Sequence, residues 1–283
     1  MRQIRIPSPE WTMVPGTIRP PAVAGAFYPA EPRRLRDEVD RFLGWEPETA
    51  PLPKALVVPH AGYVYSGAVA ASAYRLLRAR AQRIRRVVLL GPCHRVALAG
   101  LAAPSTSAFA TPLGEVCVDL EALAAVADLP QVVFSDAAHR AEHSLEVQLP
   151  FLQAVLADFR LAPFAVGSAA PQAVAEVLEA LWGGPETLIV VSSDLSHYHP
   201  YREAREIDSA SCRRIVAGHA DLGPQEACGA HALNGLLLAA RRHGLGISLL
   251  DCRNSGDTAG DRDHVVGYAA FALQGEHDPT KLS

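Results

Sequence analysis

The chain has 283 residues, 49% hydrophobic and 20% charged, with 26 basic against 30 acidic side chains and a formal net charge of −4. A chain of this size and composition buries a large core without disulfides or a structural metal. The slight acidic excess disfavours a nucleic-acid partner, because a phosphate backbone calls for a basic footprint.

Five cysteines are present, at positions 93, 117, 212, 228 and 252. The number is odd and no C-x-x-C pair occurs, so reduced thiols and a cytoplasmic setting are expected. The opening "MRQIRIPSPEWTMVPG" lacks an apolar h-region, and no run of about 18 apolar residues occurs. Neither a signal peptide nor a membrane span is expected.

Residues 1–24 are rich in Pro and are expected to form an extended N-terminal arm. A single α/β domain is expected over 25–275, with a tail at 276–283. The spacing of Leu35, Val39 and Phe42 predicts a helix from Pro32 to Leu43, and "ETAPLPK" reads as a linker. Beyond it, short apolar runs alternate with amphipathic ones. "ALVVPH", "RRVVLLGP", "QVVFSD", "FRLAPFAVG", "TLIVVSSD", "GISLLDC" and "HVVGYAAFAL" read as strands. "SGAVAASAYRLLRAR", "AEHSLEVQLPFLQAVLADF", "PQAVAEVLEALWG", "YREAREIDSASCRRIVAGH" and "GAHALNGLLLAARRHG" read as helices. This alternation implies a mostly parallel central sheet covered on both faces, a three-layer αβα sandwich. The stretch "AGLAAPSTSAFATPLGEVCVD" breaks the rhythm and predicts an antiparallel excursion. The basic run Arg78–Arg86 reads as a solvated helix end or a patch for an acidic partner.

In open α/β sheets, ligands bind outside the carboxyl ends of the strands. Six of the eleven histidines fall at or near predicted strand ends. His60 follows "ALVVP", and His94 follows "VVLLGPC" in the same way. Either is a structural histidine or a ligand when taken alone. As a pair at equivalent positions they suit a metal, since neutral imidazole is a common ligand. The Gly-Pro before His94 is expected to end its strand and turn the chain. Asp194 ends "LIVVSS" as a helix cap or an acid–base partner. On a helical turn it would share a face with His197 and orient it. Glu142, His143 and Glu146 are placed on a helix, Glu142 and Glu146 facing one way. Cys228 and His231 sit at a helix start, where the helix end is expected to lower the thiol pKa. Cys228 is then a ligand, a nucleophile or a small buried hydrophobe. No G-x-G-x-x-G, G-x-x-x-x-G-K-[ST], G-x-S-x-G or H-E-x-x-H occurs.

The stretches "AGAFYPAEP", "VVPHAGYVYSGAVAASAY", "LLGPCHR", "AEHSLEVQLPFLQ", "VVSSDLSHYHPY", "CGAHAL" and "NSGDTAGDRDHVVGYAAFAL" occur in an order that resembles the Memo-like family. Its prokaryotic members are called AmmeMemoRadiSam system protein B. The resemblance covers about residues 20–273. It implies a fold similar to class III extradiol dioxygenases, whose iron(II) is held by two histidines and a glutamate. By position it implies a metal set of His60, His94 and Cys228, with Asp194 and His197 as polar neighbours. It also implies iron or copper chemistry and partners of radical-SAM and AMMECR1 type. A cysteine in place of the dioxygenase carboxylate softens the site, and Cys93 adds a second thiol.

Three readings follow. The first is a metal-dependent oxidoreductase holding one ion, iron(II) or copper ahead of zinc, at His60, His94 and Cys228. His197 and Asp194 act as acid–base groups, and Tyr63, Cys93, Glu142, His143 and His231 line the pocket. The second is a non-catalytic module that binds a small aromatic group, a peptide or a partner protein. The third is a metal-free cysteine hydrolase.

Overall fold

A computed structural model describes residues 16–44 and 52–275. Most of the expected N-terminal arm, most of the linker and the whole tail lie outside the described residues. In chain order the elements begin with β1 (Ile18–Arg19), α1 (Pro32–Leu43), β2 (Ala55–Val58), α2 (Tyr63–Tyr74) and β3 (Arg86–Pro92). There follow β4 (Leu101–Ala103), β5 (Ala108–Thr111), β6 (Gly114–Cys117), α3 (Leu120–Val126) and β7 (Val132–Phe134). Next come α4 (Asp136–Arg140), α5 (Leu149–Val155), β8 (Arg160–Val166), α6 (Pro171–Ala180) and β9 (Thr187–Ser192). The chain closes with β10 (His197–His199), α7 (Tyr201–Val216), α8 (Ala230–Arg242), β11 (Leu245–Asn254) and β12 (Val265–Gly275).

Local chemistry sets several of these boundaries. Glu31 caps α1 by accepting the backbone N–H groups of Arg33 and Arg34, and Pro32 opens the helix with a φ already suited to it. Its buried stripe is Leu35, Val39 and Leu43, with Phe42 packed at the margin. Strands β2 and β9 are buried along their whole length, as expected of continuous apolar runs in the middle of a covered sheet.

The main sheet runs β10-β12-β2-β9-β3-β8-β4-β7, with β11 paired to the other side of β12. Its middle, β2-β9-β3-β8, is parallel. Antiparallel pairs join it to β12 on one side and β4 on the other. The connection β2–α2–β3 steps over β9 in one direction, and β8–α6–β9 steps back over β3 in the other. Right-handed crossovers running in opposite directions put α2 and α6 on opposite faces. Accordingly α2 packs with α1 and α5, while α6 packs with α8 and α3. The result is the expected three-layer α/β sandwich. Its apolar core is one contiguous cluster reaching from Val23 to Leu273. The antiparallel excursion is present: β5 and β6 form a hairpin, and β1 adds to β5 in a separate small sheet.

Two expected elements differ. "AEHSLEVQLPFLQAVLADF" is not one helix. After α4 the chain turns through 141–145, makes a short 3-10 turn at Glu146–Gln148 and starts α5 at Leu149. Pro150 forces that late start, because a proline is tolerated only in a helix's first turn. The turn after Asp194 is not helical either, for His197 opens the short strand β10 against β12.

Candidate metal centre

Strands β2, β9 and β3 lie side by side and parallel, so their carboxyl ends share one edge. Val58 pairs with Ser192. His60 and Asp194, each two residues further on, therefore leave the sheet together. His94 leaves β3 beyond them. The expectation that these three residues meet at one edge agrees with the topology.

The fourth contributor arrives from the side. The turn 141–145 is laid across the end of β3, where Gly91 admits it. A Cβ at Gly91 would sit 2.8 Å from Ser144 Oγ and 3.0 Å from Leu145 Cδ2. As expected, β3 ends on the Gly-Pro pair, with Pro92 its last residue, and the glycine also serves close approach. Ser144 Oγ donates to the Pro92 carbonyl at 2.9 Å, which fastens the turn and with it Glu142 and His143. Gly229 plays the same part for Cys228: a Cβ there would meet Ser192 O and Ser193 Cβ at 2.7 Å. The Cys228 N–H donates to Asp194 O at 3.2 Å, and the Asp194 N–H donates to Cys228 Sγ at 3.3 Å.

His60, His94 and His143 each offer a ligand atom within 4.8 Å of the others. The His94 and His143 rings stack at 4.8 Å, and His60 meets both edge-on. Cys228 Sγ lies 3.3 Å from His60 Nε2. The hydrogen-bond partners fix the tautomers. Ser192 Oγ donates its single proton to the Ser144 carbonyl at 2.7 Å, so His60 Nδ1, 2.8 Å from Ser192 Oγ, must donate to it. Gln148 Nε2 also donates to Ser192 Oγ. His60 Nε2 thus keeps its lone pair and faces the thiol. His94 Nδ1 lies 3.0 Å from Glu142 Oε1 and donates to it, leaving Nε2 as its lone-pair nitrogen. Among the described residues, the buried His143 Nδ1 has no hydrogen-bond partner, although Glu142 Oε1 is 3.3 Å away.

Burial, then the neighbouring His143 and His94, pushes the His60 pKa well down, and burial lowers that of His143. Burial alone would raise Glu142, but the His94 ring and backbone N–H groups and that of Ser144 hold it at about 2. Asp194 is raised by burial, against the His60 N–H that its Oδ1 accepts at 2.7 Å. Imidazole nitrogens beside the ionised Glu142 carboxylate make a site that favours a cation. The donor set is nitrogen with one sulfur beside it, which suits zinc, copper or iron and not magnesium or calcium. Two nitrogens each about 2 Å from one ion lie at most about 4 Å apart. The histidines therefore need only small movements to close on one. The buried, unpartnered Nδ1 of His143 and the lone pair of His60 fit a bound ion.

Several expected residues sit elsewhere or act otherwise. Tyr63 is core: its hydroxyl donates to the Val147 carbonyl at 2.7 Å, and its ring packs on Tyr28, Phe42 and Phe151. The Cys93 thiol donates to the Val96 carbonyl at 3.3 Å. His231 Nδ1 donates to the Ala169 carbonyl at 2.9 Å. His197 is oriented by the Leu195 carbonyl, 2.9 Å from its Nδ1, and not by Asp194, whose Oδ2 faces His60 Nε2 at 3.9 Å. The Cys228 thiol is not activated by a helix end. Burial, then the Asp194 carboxylate, raises its pKa. Glu146 faces away from Glu142 and accepts from Arg19, the Ala22 and Val23 amides and the Tyr28 hydroxyl. Ser192 and Arg19 carry no signal in the sequence that marks them as supports of the site.

This geometry has relatives. The family model described as "Memo-like protein" matches residues 19–272. The chain belongs to the Memo-like family. A MEMO1 family protein of Methanopyrus kandleri is 37% identical over 90% of this chain and 99% of its own length. Another, of Aquifex aeolicus, is 36% identical over 89% of this chain and 97% of its own. A crystal structure of an uncharacterized protein from Escherichia coli K12 aligns at a TM-score of 0.46 with 14% identity, covering 77% of this chain and 99% of its own. That likeness is too distant to bear on function. Among the described residues, no helix is long and apolar enough to cross a membrane.

Proposed function

We propose that this Memo-like chain is a metal-dependent redox protein with a dioxygenase-like site. One ion, iron(II) or copper ahead of zinc, is bound by His60, His94 and Cys228, with His143 as a further arm. The observation that carries the reading is the fixed tautomer of His60: its Nδ1–H is committed to Ser192, so its lone pair faces Cys228 and the other two imidazoles. Iron or copper, when bound, supplies one-electron chemistry. His197, with Nδ1 tied to Leu195 O, keeps Nε2 to take or give a proton. Asp194 holds the His60 backbone and adds negative charge. Phe27, 4.8 Å from the His143 ring, and the exposed rings of Tyr65 and Tyr198 suit a small aromatic or peptide ligand. A cytoplasmic setting, with radical-SAM and AMMECR1-type partners, completes the proposal.

The test is elemental analysis of protein purified without a chelating tag. About one iron or copper per chain, lost in His60→Ala, is the expected result. Metal-free protein that also fails to take up added iron(II), copper(I) or zinc would overturn it.

A non-catalytic binding module draws support from Tyr198, which is 72% exposed and held at φ 63, a conformation uncommon outside glycine. Partner capture that survives Cys228→Ser would favour it. The cysteine-hydrolase reading is the least favoured, because burial raises the pKa of both candidate nucleophiles, Cys228 and Cys93.

A further inference from the structure

Two of the cysteines outside the metal centre lie together. Cys212 on α7 is buried and Cys252 on β11 is exposed. Their sulfurs are 3.7 Å apart, with the Cys212 thiol donating to Cys252, although 40 positions separate them in the chain. Among the described residues, strand β11 pairs only with β12. Between α7 and β11 lies a cleft with the two sulfurs side by side in its lining, walled by Val216 and Leu249 and flanked by Arg213. Both wall residues are more than two-fifths exposed, so the cleft is open to solvent.

We propose that Cys252 and Cys212 form a second reactive site, a dithiol that is oxidised by low-molecular-weight disulfides carrying carboxylates. Cys252, as thiolate, attacks one sulfur of R–S–S–R. The Cys252–S–S–R bond forms, and RS⁻ leaves and takes a proton. Cys212 then gives up its proton, attacks Cys252 Sγ and expels the second RS⁻, which is protonated in turn. Two protein thiols are oxidised to one disulfide, and R–S–S–R is reduced to two RSH.

The division of labour follows from the surroundings. The hydrogen bond from Cys212 lowers the Cys252 pKa and outweighs burial and the nearby Asp208 and Asp251 carboxylates, with a lesser contribution from Arg205. The same bond and burial raise that of Cys212. An accessible, more acidic thiol beside a buried partner is the arrangement of a nucleophile and its resolving cysteine. Bonded sulfurs lie about 2 Å apart, so rotation of the exposed Cys252 side chain has less than about 2 Å to cover. Arg213 in the cleft lining, with Arg205 close to Cys252, favours a reagent that bears carboxylates, against the opposing charge of Asp208 and Asp251. Among the described residues the other three thiols lack such a partner: Cys93 donates to a carbonyl, Cys117 stands exposed on β6, and Cys228 belongs to the metal centre. The bond would pin α7 to β11. One turn before Cys212, Asp208 Oδ1 accepts the Ser196 N–H at 3.0 Å, so the pinned helix holds the loop that carries His197.

The test treats the full chain with glutathione disulfide near neutral pH and maps peptides without reduction. The expected product is a single Cys212–Cys252 link, reversed by dithiothreitol, with slower exchange of the Ser196 amide. Cys212→Ser should stop at a mixed disulfide on Cys252, and Cys252→Ser should leave Cys212 unmodified. No linked peptide, or no adduct on Cys252 in folded Cys212→Ser protein, would overturn the site. Equal rates with bis(2-hydroxyethyl) disulfide, which is uncharged, would overturn the charge selection.

Discussion

Glu142 grips His94 twice: Oε2 accepts the backbone N–H at 2.6 Å, and Oε1 accepts the ring Nδ1–H at 3.0 Å. One carboxylate therefore fixes both where the histidine leaves β3 and which nitrogen keeps its lone pair. Glu142→Gln retains the shape but loses the charge, and its amide must present a donor where an acceptor is needed. Metal affinity should fall roughly 10–100-fold, as for other groups that orient a ligating histidine. Titration with zinc or iron(II) beside unchanged circular dichroism checks this.

Gly91 should resist the smallest side chain. The Cβ of Gly91→Ala meets Ser144 Oγ and Leu145 Cδ2 inside normal contact. Overpacking of this kind costs about 1–3 kcal/mol. The turn bearing His143 should lift, so both melting temperature and metal affinity should fall. Gly62→Ala is the control: its φ of −55 suits any residue, and its nearest new contact is an ordinary 3.5 Å. That variant should melt within a degree or two of the wild type.

Arg19 ties the start of the described chain to the site turn. It donates to the His139 and Glu142 carbonyls at 2.8 and 2.6 Å and to Glu146 Oε2 at 2.6 Å. Both members of the pair are almost wholly buried. Arg19→Met leaves Glu146 charged and without its cation, at a cost of about 3–5 kcal/mol. Adding Glu146→Gln should recover part of that loss. A double-mutant cycle in urea measures the coupling.

Acid should weaken the fold through His139. Burial lowers its pKa from 6.5 to about 4, and Nδ1 has no partner while Nε2–H donates to the Ala102 carbonyl. The unfolded chain takes up this proton first. The contribution is therefore complete above about pH 6.5, declines as pH falls and is gone below about pH 4. Its size is on the order of 3 kcal/mol at most. His139→Leu should flatten the stability profile over that window in denaturant titrations at stepped pH.

Much of the site was legible because it is built from strand ends. His60, His94 and Asp194 each follow a run of β-branched and apolar residues, and parallel pairing does the rest. His143 was harder to place, since the 3.6-residue pattern of Leu145, Leu149 and Leu152 reads through a turn that the backbone does not follow. Pro150 marked the true helix start. Tyr63 was misplaced because its position in sequence, three residues after His60, says nothing about which way a helix's first residue points. The pKa of Cys228 was misjudged because a helix start was weighed without the burial and the carboxylate that surround it.

The order of strands at the site edge has a consequence in time. β9 lies between β2 and β3, yet its residues follow those of β3 by about 100 positions and those of β2 by about 130. Neighbouring strands are about 4.8 Å apart, so β2 and β3 stand roughly twice that distance from each other only once β9 has been inserted. An ion gripped by His60 and His94 before then would hold shut the gap that β9 must enter. Metal is therefore a late guest: refolding with iron or zinc already present should be slower than refolding followed by loading.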